Sequence, residues 1–125
     1  FQTYELLQIE IKKNDSKFTI YSVGGIISDI DMEECYKIQK KVDAKINEEL
    51  NNPYKVGPRT IIHPADPSGN SIFDDVTFTF DSEDDIVARC NNWDENYRIK
   101  YNYKEGLTIQ LLSKDVSAWM RDRDY

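Results

Sequence analysis

Between Asp31 and Leu50 the apolar side chains return at steps of three and four: Cys35, Ile38, Val42, Ile46 and Leu50, with Ala44 on the flank. That spacing gathers them on one side of an α-helix. Asp31 followed three residues later by Glu34 forms a capping-box-like start, with acidic side chains where free backbone N–H groups need acceptors. Asn51, Asn52 and Pro53 supply the stop. A helix with a single apolar face needs a surface to cover, and the rest of the chain offers short segments of β character.

Tyr4 to Ile11 alternates on the Leu7, Ile9, Ile11 side and Phe18 to Val23 resumes through Thr, Ile, Tyr and Val, so the two read as a hairpin across the polar turn 12–17. Gly24-Gly25 is expected to end the second strand and let the chain swing into the helix. Val76, Phe78 and Phe80 alternate with Thr77, Thr79 and Asp81, a half-buried strand. Ile86, Ala88 and Cys90 share the face of a further one. Tyr97, Ile99, Tyr101 and Tyr103 alternate with Arg98, Lys100 and Asn102, and Leu107, Ile109 and Leu111 with Thr108 and Gln110, giving two more. Arg59 to Ile62 adds a short edge strand, and Ser113 can cap a final helix through Val116, Trp119 and Met120.

These elements predict an α+β fold in the order ββαββββα. One antiparallel sheet of about five or six strands carries a long helix on one face, with a short helix at the C-terminus. The expected core is Leu7, Ile9, Phe18, Ile20, Cys35, Ile38, Val42, Ile46, Val76, Phe78, Phe80, Ile86, Cys90, Ile99, Leu107, Ile109, Leu111 and Trp119. At 125 residues, with no repeat or linker, residues 1–125 read as a single domain.

The net charge of −7 makes the surface acidic. Phosphate backbones and anionic lipid would repel it, so nucleic acid is disfavoured and a basic protein partner favoured. No apolar run reaches the length of about 18 residues needed for membrane insertion. Cys35 and Cys90 read either as two buried thiols of a reducing compartment or as one helix-to-sheet disulfide of an oxidising one. The chain begins at Phe1 rather than Met, and the expected removal of a signal peptide, tag or upstream domain tips the reading toward the disulfide. Closing a loop of about 55 residues would stabilise the fold by roughly 4 kcal/mol.

Reagents for bond chemistry are scarce. There is no phosphate-cradling Gly-rich loop, no nucleophile elbow and no paired-cysteine or paired-histidine motif, so no cofactor or metal is expected. A lone histidine leaves any His-based catalysis to His63. The segment 51–71 holds all four prolines and reads as a long, shaped loop. Within it Arg59, His63, Asp66, Ser68 and Asn70 make a candidate partner-binding loop. Asp66-Pro67-Ser68-Gly69 is also a good β-turn in its own right.

A second candidate surface is acidic: Asp81, Glu83, Asp84 and Asp85, with Trp93, Asp94 and Glu95 extending it toward an aromatic, the type of patch that occupies a basic active site. The simplest reading of 81–85 is a solvated hairpin turn. The preferred function is therefore a non-enzymatic acidic protein-binding domain. Its most concrete form is an inhibitor or immunity-type protein of an exported or periplasmic system. The competing reading is a small enzyme or ligand-binding protein that uses His63 and Asp66.

Overall fold

The computed structural model describes residues 4–50 and 53–122. Six strands, β1 (Leu6–Ile11), β2 (Ile20–Ser28), β3 (Tyr54–Ile62), β4 (Ile72–Thr79), β5 (Asp85–Asn92) and β6 (Gly106–Leu112), form one sheet. Its order is β1-β2-β6-β5-β4-β3 and every neighbouring pair is antiparallel. The long helix α1 (Met32–Glu49) lies between β2 and β3 in the chain, a short helix α2 (Glu95–Tyr101) between β5 and β6, and α3 (Lys114–Asp122) follows β6. The protein is thus the α+β fold that the alternation and helical spacing imply.

The local signals act as their chemistry dictates. The Asp31 carboxylate accepts from the Glu34 backbone N–H at 2.8 Å and opens α1. Ser113 opens α3, its Oγ accepting from Val116 N–H. The helix stop at Asn51 and Asn52 lies outside the described residues.

Cys35 and Ile38 on α1 meet Cys90 on β5, Leu107 on β6 and Ile27 on β2, a cluster shielded by Met32, Tyr36, Val42 and Ile109. Inside it the disulfide Cys35–Cys90 ties the helix to the sheet. Polar anchors sit beside it. Gln39 Nε2 donates to the carbonyls of Asp74 and Ala88, each at 2.9 Å. The Asp74 carboxylate accepts from Tyr36 on the helix and Thr60 on β3. Burial and that neighbouring carboxylate push the Tyr36 phenol up to about 12.

Four expectations give way. Residues 95–101, read as a strand, are helix α2, because Asp94 accepts from the N–H groups of Asn96 and Tyr97 and Asn102 closes the turn in the left-handed conformation. Among the described residues of the stretch read as a long loop, Tyr54–Ile62 form a nine-residue strand, β3, and the irregular part is Pro53 and 63–71. Gly24 and Gly25 lie inside β2 rather than at its end; the Tyr4 ring covers Gly25 so closely that a Cβ there would stand 2.6 Å from it. Leu7, Ile9, Phe18, Ile20, Ile99, Leu111 and Trp119, expected in the core, are exposed. For Leu7 and Ile9 the cause is coverage: α1 packs on β5 and β6, and β1 lies two strands out from β6.

Reduction, or the paired change Cys35→Ala and Cys90→Ala, is expected to lower the unfolding free energy by about 2–4 kcal/mol in urea titrations. Unfolded without reductant, the protein should titrate no thiol. Two free thiols there would contradict the bridge.

Candidate functional site

The 63–71 loop leaves β3 at the same end of the sheet where β5 runs out into Trp93, and the two segments meet. Two tight turns shape the loop, with Asp66 N–H donating to the His63 carbonyl and Gly69 N–H to the Asp66 carbonyl, each at 3.1 Å. The second is the turn that Asp66-Pro67-Ser68-Gly69 predicts. The buried Asp66 carboxylate organises it, accepting from Ser68 N–H (2.9 Å), Ser71 N–H (3.1 Å) and Ser71 Oγ (2.5 Å). Those donors, the Ser71 hydroxyl foremost, hold Asp66 down at about 2.

From Asp66 a closed circuit of hydrogen bonds crosses to α2. The Ser71 Oγ accepts from Asp94 N–H at 2.9 Å, the Asp94 carboxylate accepts from Tyr97 N–H at 3.2 Å, and the Tyr97 hydroxyl returns to the Ala65 carbonyl. Aromatic rings pack against one another beside it. His63 lies 4.1 Å from Trp93 and edge-on to Phe73 at 5.3 Å; Trp93 stacks on Tyr103 at 4.5 Å; Tyr97 leans on Tyr101 at 4.5 Å. Beneath, the Arg89 guanidinium covers Phe73 at 3.8 Å and pairs with Asp75 at 3.0 Å, which Arg59 reaches at 3.1 Å. Asp75 is 1% exposed.

The predicted site residues therefore divide. His63, Asp66, Ser68 and Asn70 lie on the loop that meets Trp93, Asp94 and Glu95, while Arg59, within β3, pairs with Asp75. Asp81, Glu83, Asp84 and Asp85 lie at the other end of β5, about 23 Å away at the rise of an extended strand. There Asp84 accepts from the Lys114 N–H that opens α3, and Asp85 from the Thr79 hydroxyl. The two halves of the expected acidic patch do not form one surface.

His63 and Asp66 share only the backbone bond of the turn: among the described residues no side-chain hydrogen bond joins the imidazole to the carboxylate. The His63 Nδ1 accepts from Ala65 N–H at 3.2 Å, so the ring is neutral and its proton sits on Nε2. Burial, and then the nearby Arg89 charge, lower its pKa. Both cysteines are joined in the disulfide. Among the described residues no three His, Cys, Asp or Glu side chains gather as a metal site. A groove of about 920 Å³ lies apart from this end, between the β1–β2 turn and α3, with Ile11, Tyr21, Val116, Trp119 and Met120 along it.

The arrangement presents a braced surface. Ser68, Asn70 and Glu95 stand exposed on it beside Ile99, Tyr101 and Tyr103. Ser71, Tyr97, Phe73, Arg89 and Asp75 were not expected in it. Charged residues inside two adjoining strands were the available signal for Asp75 and Arg89, which the register places directly opposite each other. Comparison of the chain with protein-family models, with curated proteins and with solved structures finds no match.

Two consequences can be measured. The folded state holds both His63 and Asp66 below their ordinary pKa values. Each therefore contributes stability above its unfolded pKa that is lost as pH falls: for His63 from the ordinary histidine value downward, for Asp66 through the carboxylate range to about 2. Urea midpoints should decline in both windows, and His63→Phe should flatten only the upper one. Asp75→Ala, which strands the Arg89 guanidinium, should destabilise by about 3 kcal/mol.

Proposed function

We propose that this chain is a non-enzymatic protein-binding domain, of the inhibitor or immunity type, that engages a basic partner through the braced end of its sheet. The observation that carries the reading is the circuit Asp66–Ser71–Asp94–Tyr97–Ala65. It joins two connections into one body and leaves Tyr101, Tyr103 and Ile99 outward. Tyrosine offers large contact area with few rotors, and a surface fixed in advance loses little entropy on binding.

The side chains that chemistry would require have other employment. Asp66 holds a turn, the His63 ring is packed between Trp93 and Phe73, and the cysteines are bonded to each other. The net charge of −7 supplies long-range attraction for a cationic protein. Asp94 and Glu95 lie at the contact surface, while the 81–85 turn steers from a distance. The disulfide is compatible with an oxidising compartment, and we assign the protein to an exported or periplasmic setting on that basis.

Immobilised protein should capture a basic protein at low ionic strength, with an association rate that falls steeply as salt rises. Combining Tyr101→Ala with Tyr103→Ala should weaken that complex about tenfold or more while the fold persists. A rate indifferent to ionic strength, or a variant that binds like the parent, would remove the basis of this reading.

A further inference from the structure

The two outer strands of the sheet are protected unequally. The ladder of β3 with β4 shifts register between Val56 and Arg59, at Gly57-Pro58, and Lys55 and Arg59 add charge there. A bulge, a proline without a donor and cationic side chains are the devices that keep an edge from joining another chain. Strand β1, Leu6-Leu7-Gln8-Ile9-Glu10-Ile11, has no proline and a single charge. Its register with β2 is unbroken from Leu6 to Glu10 and shifts once, before Ile11, where the extra residue (Tyr21) belongs to β2, so β1 itself stays regular; among the described residues it pairs with β2 alone.

The strand is apolar as well as open. Leu7 is 69% exposed, Ile9 53% and Ile11 50%. Ile9 begins a row that crosses the sheet in register through Val23 and Leu111 to Ile86, and Leu111 too is 54% exposed. The row lies on the face carrying α1, beyond the reach of that helix.

We propose that β1 pairs antiparallel with β1 of a second copy of this chain, about a two-fold axis perpendicular to the sheet at Ile9. Symmetry and pleat restrict the register. Opposed residues must point to the same face, so only centres on a residue are allowed. A centre at Glu10 would set two carboxylates against each other, and one at Gln8 would set Glu10 against Leu6. The centre at Ile9 sets Ile9 against its copy, Leu7 against Ile11 and Gln8 against Glu10. It also brings the Lys12-Lys13 turn of each copy alongside Glu5 of the other, so opposite charges meet twice. The apolar row then continues without a break from Ile86 of one copy to Ile86 of the next. This pairing uses a different surface from the tyrosine-bearing end and does not depend on it.

Two copies of charge −7 repel one another, so added salt should strengthen this association, the reverse of its effect on capture of a basic partner. In sedimentation velocity the mass should rise from 14.7 kDa toward twice that as concentration goes from about 1 to about 300 µM. Ile9→Lys and Ile9→Glu should each sediment as one chain with unchanged circular dichroism. Mixed together they should restore a dimer holding one of each, because residue 9 faces itself. Hydrogen exchange on the unaltered protein gives a readout without mutation: β1 amides should gain protection with concentration. A single-chain mass throughout, an Ile9→Lys protein that still dimerises, variants that stay apart on mixing, or β1 protection independent of concentration would each overturn the proposal.

Discussion

The contact of α1 with β5 and β6 governs the rest of the molecule. Cys35 and Ile38 close on Cys90 and Leu107, and the disulfide holds the helix there. One helix is narrower than six strands, so fixing it over the middle of the sheet decides which apolar side chains are buried. Phe78, Val76 and Ala88 share that face near the helix and are buried. Leu7, Ile9 and Leu111 have the same character on the same face and are not. Their exposure follows from where the covering element stops, not from any difference in side-chain chemistry.

That distinction explains what could be read from the residues alone. Helical spacing and the Asp31 cap identify α1, and the Ser113 cap and the Asp66-Pro67-Ser68-Gly69 turn behave as short-range hydrogen bonding requires. Alternation identifies the apolar side of a strand, but it carries no information about what lies above it. The core was therefore legible beneath α1 and over-extended beyond it. In 95–101 the error has another origin. Tyr97, Ile99, Tyr101 and Tyr103 satisfy a period of two, yet Asp94 offers its carboxylate to two backbone N–H groups at once. The local cap outweighs the β preference of tyrosine, and the segment turns helical.

The candidate site was legible in its parts and not in its assembly. The 63–70 residues and Trp93-Asp94-Glu95 are separated by more than twenty positions, and what joins them is Ser71, a small residue with no pattern of its own. Its hydroxyl donates to Asp66 and accepts from Asp94 N–H, so a single oxygen connects the two segments. Such a bridge depends on β4 and β5 lying side by side, with Ile72 opposite Asn92. Only the paired strands bring the loop and the start of α2 within reach. The acidic run 81–85 is the converse case: close to Trp93 in sequence, it is removed to the far end by the length of β5.

The same sheet separates the β1 edge from the tyrosine-bearing end. Five inter-strand steps divide β1 from β3, about 24 Å at the usual strand spacing, and the tyrosine-bearing end belongs to the β3–β6 side. Pairing at β1 therefore leaves that end uncovered in both copies. A two-fold perpendicular to the sheet sends the two ends in opposite directions along the strands, so a joined pair would offer two outward surfaces that cannot both meet one small target. Such an assembly raises avidity only toward a partner that is itself repeated or extended. Toward a single small protein, each copy binds independently.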